Sequence, residues 1–533
     1  MEEPRLVDVP VAARIADNQA MEAGFEPGSN SERPLRAGRI AGLLASAGAL
    51  AALWIISVVT DIVPFAPTAL AARIIRATPG DAATFFIELL GHWAIRLLTI
   101  GVLAAALLLG AEVFARAGGL RPGGAAAALG VVAAASSLGE PSFRPDPVYV
   151  IAASLFASAL YAGIGRYMYI RLTGEPTRFD HSRRRFLRLA VGGALGIGIG
   201  AFGGGWFAGL FSSTDTNVPL VDPAKPAKLP VRQPFPDIPG LTPEITSVAD
   251  HYQVDIDLVK PSVDVDGWAL EVSGLVAAPL TLNFQELQSR FEIVEHYSVL
   301  SCVSNEVGGN LVGHSAWGGV RLRDVLDASA VQDGAQDVVF RSVDGYSDSI
   351  PIELARAGNV LLAVSQNGRS LTREHGFPCR VRVPAIYGMK NVKWLQAIEV
   401  VGSDYIGYWQ ERGWSDEAVV KTESRIDVAG DDFRAATGEE TWIAGIAWAG
   451  DRGIQGVELS VDGGSSWEQA MMKDPVSPIS WRLWAHRWAP EGAGSVRIMC
   501  RATDGDGIVQ TARVAGPHPS GASGYHEVVA EVT

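Results

Sequence analysis

The 533-residue chain is 48% hydrophobic and only 19% charged, with a mean hydropathy of +0.17. Soluble domains carry roughly 25% charge, so the composition excludes a wholly soluble protein and equally a wholly membrane-embedded one. The net charge of −14 divides into −4 over residues 1–34, +7 over 35–211 (where every basic residue is arginine) and −17 over 212–533. An acidic soluble part repels phosphate and argues against a nucleic-acid binder, and three cysteines exclude a disulfide scaffold and any CxxC zinc or CxxCH haem site.

A membrane span needs about 20 apolar residues to cross the ~30 Å hydrocarbon layer. After a cytoplasmic tail at 1–38, the pattern predicts a transmembrane region over 39–211, with spans near 39–64, 93–115, 123–139, 147–170 and 187–211. Cytoplasmic loops collect basic residues. Arg33, Arg36 and Arg39, then Arg116 and Arg121, then the cluster from Arg166 to Arg188 fall on one side of such an arrangement. The intervening loops balance Arg73, Arg76 and Arg144 against Asp81, Glu88, Glu140 and Asp146. Five spans with the N-terminus inside satisfy this alternation, and they place everything after residue 211 outside the plasma membrane, with lipid around the anchor. Arg96 and Glu112 lie near span ends, where they can snorkel. The single bundle histidine, His92, falls short of the two axial ligands of a b-type haem, so no haem is expected.

The last span opens Ser182-Arg183-Arg184-Arg185-Phe186-Leu187-Arg188 and continues through a Gly-rich stretch, Gly192 to Gly209. This resembles a twin-arginine export signal set inside the chain, a route for proteins folded with their cofactor. Residues 212–245 hold Pro219, Pro223, Pro226, Pro230, Pro234, Pro236, Pro239 and Pro243 and read as a semi-stiff spacer. From 246 to 425, β-type runs at 268–274 and 338–343 alternate with helical patterns at 283–291 and 322–328, an α+β texture. From 426 to 533 the pattern is all-β. Runs at 441–448, 456–461 and 495–503 are separated by turns such as Asp462-Gly463-Gly464 and Asp504-Gly505-Asp506-Gly507, which predicts a small immunoglobulin-like sandwich. The fold class is therefore multi-domain: a transmembrane helical bundle, an α+β domain and a β-sandwich.

Cys302, in Leu300-Ser301-Cys302-Val303-Ser304-Asn305, follows a β-type run and precedes a Gly-rich loop. A lone cysteine is ordinarily a small buried hydrophobe, but its thiolate is also a soft ligand for a transition metal. Its downstream company favours the ligand. Cys302 with His314-Ser315-Ala316-Trp317-Gly318-Gly319-Val320-Arg321-Leu322 resembles the cofactor loop of the sulfite oxidase family of molybdopterin enzymes. His375-Gly376-Phe377-Pro378-Cys379-Arg380, through Val383-Pro384 to Asn391-Val392-Lys393-Trp394-Leu395, resembles that family's second signature. Gly445-Ile446-Ala447-Trp448 and the run from Glu458 to Trp467 resemble its C-terminal dimerisation domain.

The resemblance implies that Cys302 binds molybdenum, one atom per chain, beside the pterin dithiolene. It implies that His375, Arg380, Asn391, Val392 and Lys393 hold the pterin and its phosphate, a role suited to an arginine fork and a lysine point charge. Asp344 matches the family's acidic pterin contact, and Tyr252-Gln253 falls where an early loop touches the cofactor. Sulfite-oxidising members use arginines to hold the anion and a tyrosine near the metal. Here Gln253 stands at the early arginine, Glu306-Val307 replaces a basic pair and Trp414 falls on the tyrosine position. Lost positive charge and an added carboxylate weaken a dianion site by roughly several kcal/mol at an effective dielectric of ~20. Arg382 and Arg412 are the candidate compensating charges, with Cys302, Trp414 and Arg382 taken as the catalytic set.

The function so implied is a membrane-anchored, externally facing molybdenum oxidoreductase. It transfers an oxygen atom with two electrons to or from a small substrate, either sulfite or an S- or N-oxide. Glu306 favours a neutral substrate. Electrons pass to or from a separate partner, and the chain forms a homodimer through 426–533. The competing expectation is a membrane-tethered binding or assembly module that keeps the fold without turnover.

Overall fold

The computed structural model describes residues 32–60, 63–78, 86, 93–118, 122–138, 146–174, 218–224, 226–227, 230, 233–256, 260–429 and 433–533. They divide into two compact units, one drawn from residues up to 70, 98–139 and 145–210, the other from 71–97, 140–144 and 211–533.

Among the described residues, five helices come first: α1 (Glu32–Thr60), α2 (Ala66–Ala77), α3 (Trp93–Arg116), α4 (Gly123–Leu138) and α5 (Pro147–Thr173). Three stretches, Pro34–Val59, Arg96–Arg116 and Pro147–Thr173, are long and apolar enough to cross a membrane, at three of the predicted positions. The 123–139 segment is a 16-residue helix, shorter than the other three. The fifth expected span at 187–211, the arginine signal at 182–188 and His92 lie outside the described residues. Within the first unit, Ala41, Ala45, Phe114, Tyr161 and Ile164 form a buried seam, and the Tyr161 hydroxyl donates to the Gly110 carbonyl at 2.5 Å. Glu112 accepts from Arg39 of α1 at 2.8 Å and pairs with Arg116 at 3.0 Å.

In the second unit, ten strands follow: β1 (Ala269–Gly274), β2 (Leu280–Asn283), β3 (Ile293–Ser301), β4 (Val312–Arg321), β5 (Asp337–Ser342), β6 (Ser347–Pro351), β7 (Leu361–Gln366), β8 (Arg369–Ser370), β9 (Arg380–Arg382) and β10 (Leu395–Val401). They make two sheets, one in the order β2-β1-β10-β5-β6 and one in the order β3-β4-β7-β8 with β9 also on β7. Only β1 and β10 run parallel. Leu270, Val272, Val338, Phe340 and Ile398 of the first sheet share a core with Val320, Leu362, Val364 and Val381 of the second.

Helix α6 (Phe284–Arg290) starts at Asn283, whose side chain caps the Glu286 amide while Glu286 returns the bond, a capping box legible in the sequence. Helix α7 (Leu322–Ala328) buries Leu322, Val325 and Leu326, the i, i+3, i+4 stripe of a core-facing helix. The next nine strands, β11 (Glu423–Val428), β12 (Arg434–Ala435), β13 (Thr441–Trp448), β14 (Ile454–Ser460), β15 (Glu468–Gln469), β16 (Met471–Met472), β17 (Arg482–Trp488), β18 (Gly494–Asp504) and β19 (His526–Val532), form sheets β11-β13-β17-β16 and β12-β19-β18-β14-β15. Ile443 and Trp484 from one sheet and Val457, Ile498, Cys500 and Val528 from the other belong to one buried cluster.

Candidate molybdopterin site

Strand β9 supplies the charge of the site. Arg380 and Arg382 are alternate residues of one strand, so their side chains leave the same face. Both guanidiniums lie over the indole of Trp317 on β4, at 5.1 and 5.0 Å from its centroid. Arg380 donates to the carbonyls of His375 (3.1 Å) and Asn391 (3.2 Å). Arg382 donates to the Asn391 amide oxygen, to Ser298 Oγ (3.1 Å) and to the Val299 carbonyl (3.0 Å). Both side chains are buried, and among the described residues no carboxylate pairs with either. Burial therefore holds the Arg380 guanidinium down to about 10 and that of Arg382 to about 9. Burying an unpaired charge costs several kcal/mol, which an anionic ligand would offset.

Around Trp317 the chain gathers imidazoles. His251 packs edge-on to Trp317 at 5.7 Å and to His375 at 5.5 Å. Gly313 makes this possible, since a Cβ there would sit 2.6 Å from His251 Nε2. His375 Nε2 bonds the Val248 carbonyl at 2.9 Å, and burial lowers its imidazole to about 4. Burial, together with the His375 and Arg380 charges, holds His251 well below its ordinary value. Lys393 pairs with Asp255, donates to the Glu374 carbonyl at 3.2 Å and lies over the Trp394 ring at 4.7 Å.

Cys302 is buried where β3 ends. Its amide donates to the Leu311 carbonyl at 2.9 Å, closing the loop, and its Sγ lies 3.0 Å from Ser304 Oγ. Burial raises its thiol above the ordinary value, a bias that metal coordination reverses. Two tyrosines stand near enough for a Cys302 thiolate to push their phenols up further, Tyr252 and Tyr387.

The predicted residues are thus not all together. Arg380, Arg382, His375 and Asn391 converge on the Trp317 region, and Tyr252 adjoins Cys302. Asn391 has little capacity left, because its side-chain oxygen also accepts the Val383 amide at 2.7 Å and its nitrogen donates to the Tyr387 carbonyl at 3.0 Å. Val392 is buried and accepts the Val381 amide through its carbonyl. Gln253 is exposed and accepts from Lys260. Asp344 is buried beside Ser342 and Tyr346, where its carboxylate accepts the Tyr346 amide at 2.9 Å and burial raises its pKa. Trp414 is buried against Trp409 and His518.

One expectation needs correction. Glu306 is exposed, in a turn closed by the Gly309 amide on its carbonyl at 2.9 Å, so it is not the buried carboxylate expected of it. The buried carboxyl beside this loop is Glu423 on β11, which burial pushes up to about 8 against the opposing pull of Lys421 and Asn305. Sequence reading passed over His251, Tyr387, Glu423 and His518. Trp317 and Tyr387 did lie inside the quoted motifs, at the aromatic positions between the charged ones.

Whether the residues suit a pterin and its phosphate is answered by the polar atoms they leave open. Arg380 Nε, Arg382 Nε, His251 Nε2, Trp317 Nε1, Ser301 Oγ and Thr372 Oγ1 are buried without a hydrogen-bond partner. Buried polar groups are rarely left so. Two unpaired guanidiniums with a rim of donors fit an anionic, polar, planar ligand, and a soft thiol lies at the neighbouring strand end.

Comparison with known proteins agrees. Residues 257–409 match the family profile of the oxidoreductase molybdopterin binding domain, and residues 418–515 match that of the Mo-co oxidoreductase dimerisation domain. Sulfite oxidase of Gallus gallus is 31% identical over 307 residues, 48% of this chain and 66% of that protein. Mitochondrial sulfite oxidase of Homo sapiens is 32% identical over 310 residues, 48% of this chain and 56% of that one. The NAD(P)H nitrate reductase of Hordeum vulgare is 28% identical over 323 residues, 48% of this chain and 36% of its own length. The chain thus spans just under two thirds of the first of these relatives and about half of the second. The crystal structure of the sulfane dehydrogenase SoxCD from Paracoccus pantotrophus aligns at 20% identity and a TM-score of 0.49, over 60% of this chain and 96% of that one. With both halves of the signature matched in order and the buried cationic site in place, the chain belongs to the sulfite oxidase family of molybdopterin-dependent oxidoreductases.

Proposed function

We propose that the chain is a molybdenum-cofactor oxidoreductase that exchanges an oxygen atom and two electrons with a small substrate. The observation that carries this reading is the pair of buried, unpaired guanidiniums on Trp317, a cost without purpose unless an anionic cofactor covers it. Arg380, Arg382, His375 and Lys393 would hold the pterin and its phosphate, while Cys302 would supply the thiolate ligand. When bound, the group supplies a two-electron redox centre able to accept or give an oxygen atom. The balance is oxide plus two electrons and two protons giving the reduced substrate and water, or its reverse for sulfite and water giving sulfate.

The protein's own part is to bind the cofactor, orient the substrate and exclude bulk water. Electrons would reach a separate carrier, and residues 418–515 support a homodimer. Domain limits near 246–425 and 426–533 suit this assignment, with the second part read as an immunoglobulin-like sandwich. The three apolar helices, with the arginine alternation, support anchoring in the plasma membrane and an external catalytic part delivered by the internal arginine signal.

The test is metal and pterin analysis of the full chain purified after native export. Near-stoichiometric molybdenum and pterin are expected, and their absence would return the chain to a tethered binding module. For delivery, Arg183→Lys with Arg184→Lys is expected to block surface appearance, and unchanged delivery would reject the internal signal.

A further inference from the structure

The cofactor cradle leaves unexplained a second group of buried polar atoms. Trp414 Nε1 and His518 Nε2 are both buried without a hydrogen-bond partner, and their rings meet edge to face with centroids 5.1 Å apart. His518 lies beyond the dimerisation-domain match, in the last turn before β19, and the structure carries it to the catalytic part. The Ser415 amide donates to the Pro519 carbonyl at 3.0 Å, and the Gly521 amide closes the turn onto the Pro517 carbonyl at 2.6 Å.

The same turn reaches Tyr387. A Cβ on Gly521 would stand 2.3 Å from the Tyr387 hydroxyl, so only glycine lets the backbone settle there. That hydroxyl accepts the Lys421 amide at 3.2 Å. Tyr387 is in turn one of the two phenols that feel the Cys302 thiolate. The segment 517–521 therefore joins Trp414 to Tyr387, and the next residue, Gly388, is so close to Cys302's neighbour that a Cβ on it would stand 2.7 Å from the Tyr252 hydroxyl and 3.4 Å from the Ser301 carbonyl oxygen.

We propose that Trp414 and His518 form the substrate-recognition wall of the site, with Tyr387 as its floor, and that the wall is built for the oxygen of a neutral S-oxide or N-oxide. The inference rests on the molybdenum-enzyme reading above. An indole N–H can only donate, and an imidazole Nε2 and a phenol can do so, so the group suits one acceptor oxygen carrying partial negative charge. Formal positive charge is directed elsewhere. Arg380 and Arg382 face Trp317. The Arg412 guanidinium lies 3.7 Å from the Tyr408 ring centroid, donates to the Tyr408 carbonyl at 2.7 Å and has Glu411 at 3.8 Å. Lys421 bonds the Gly521 carbonyl at 2.5 Å and has Glu423 near it. A dianion such as sulfite would enter without an ion-pair partner, whereas a neutral oxide would satisfy open donors.

The experiment uses the full exported holoenzyme in detergent, methionine sulfoxide and trimethylamine N-oxide as substrates, and reduced methyl viologen as the electron donor. Trp414→Phe and His518→Ala are each expected to raise KM for the oxide about tenfold, the loss of one hydrogen bond. Molybdenum content and the Mo(V) electron paramagnetic resonance signal should stay at wild-type values. A purely structural role would lower molybdenum content or thermal stability and leave KM alone, and that result overturns the assignment. Wild-type enzyme that oxidises sulfite but does not reduce either oxide overturns the neutral-substrate class. A full chain free of molybdenum overturns the enzyme reading itself, an outcome recognisable before any variant is assayed.

Discussion

Arg380 and Arg382, two residues apart on one short strand, share one indole, with guanidinium carbons 5.1 and 5.0 Å from the Trp317 centroid. Two like charges drawn to one ring and buried without a carboxylate among the described residues are costly to hold when no cofactor is bound. Arg382→Met is therefore expected to stabilise the cofactor-free chain by at least about 1 kcal/mol, since an apolar side chain of similar length removes a buried unpaired charge. The same substitution should lower pterin content of the exported protein severalfold. Thermal unfolding of the cofactor-free form and pterin quantification check the two halves, and a destabilised empty form would show that the arginine is held for packing alone.

The Cys302 side chain has Ser304 Oγ 3.0 Å from its Sγ, a neutral hydrogen bond. Cys302→Ala should therefore shift stability by no more than about 1 kcal/mol, while activity falls at least about 100-fold, beyond what loss of an outer-shell contact does at a metal site. X-ray absorption at the molybdenum edge should lose one sulfur neighbour. Unchanged sulfur coordination would remove Cys302 from the ligand set.

Glu423 gives a pH dependence with a definite sign. Burial pushes its carboxyl up to about 8, against about 4.3 in an unfolded chain. The native state binds the extra proton between these values, so this group's contribution is fully present below about pH 4 and is lost as pH rises through 8. Glu423→Gln keeps a neutral side chain at every pH. The variant should gain on the wild type by up to about 4 kcal/mol between pH 5 and pH 9, seen as a widening difference in thermal midpoint. A constant difference across that range would place the carboxylate in contact with water.

Much of this was legible in the residues, and the reasons differ by feature. The capping box at Asn283 and Glu286 and the stripe of α7 are local, so spacing alone revealed them. The signatures around Cys302 and from His375 to Lys393 lie within short segments, and the structure brings Arg380, Arg382, His375 and Asn391 to the Trp317 region as motif order suggested. What stayed hidden depends on long-range packing. Glu306 reads as a pocket carboxylate but is exposed in the 305–309 turn, and Glu423 is 121 positions from Cys302 in the chain. His518 is farther still, and only the Ser415–Pro519 and Gly521–Tyr387 contacts bring it to the site. Asn391 shows the reverse: its motif position suggested a ligand contact, yet its amide is already used by Arg382, Val383 and Tyr387.

In the helical unit, Glu112 accepts from Arg39 of α1 at 2.8 Å and from Arg116 one turn on at 3.0 Å. The Glu112 side chain is 28% exposed and that of Arg39 55%, so each charge has the other as a neighbour on an otherwise apolar helix surface. Glu112→Gln and Arg39→Gln should each lower the thermal midpoint of the detergent-solubilised chain. Their combination should cost less than the sum of the two, because the second substitution removes a charge whose partner the first has already taken away. Strictly additive losses in that double-mutant cycle would mean that each residue is solvated on its own and that the link between α1 and α3 rests on the apolar seam of Ala41, Ala45 and Phe114.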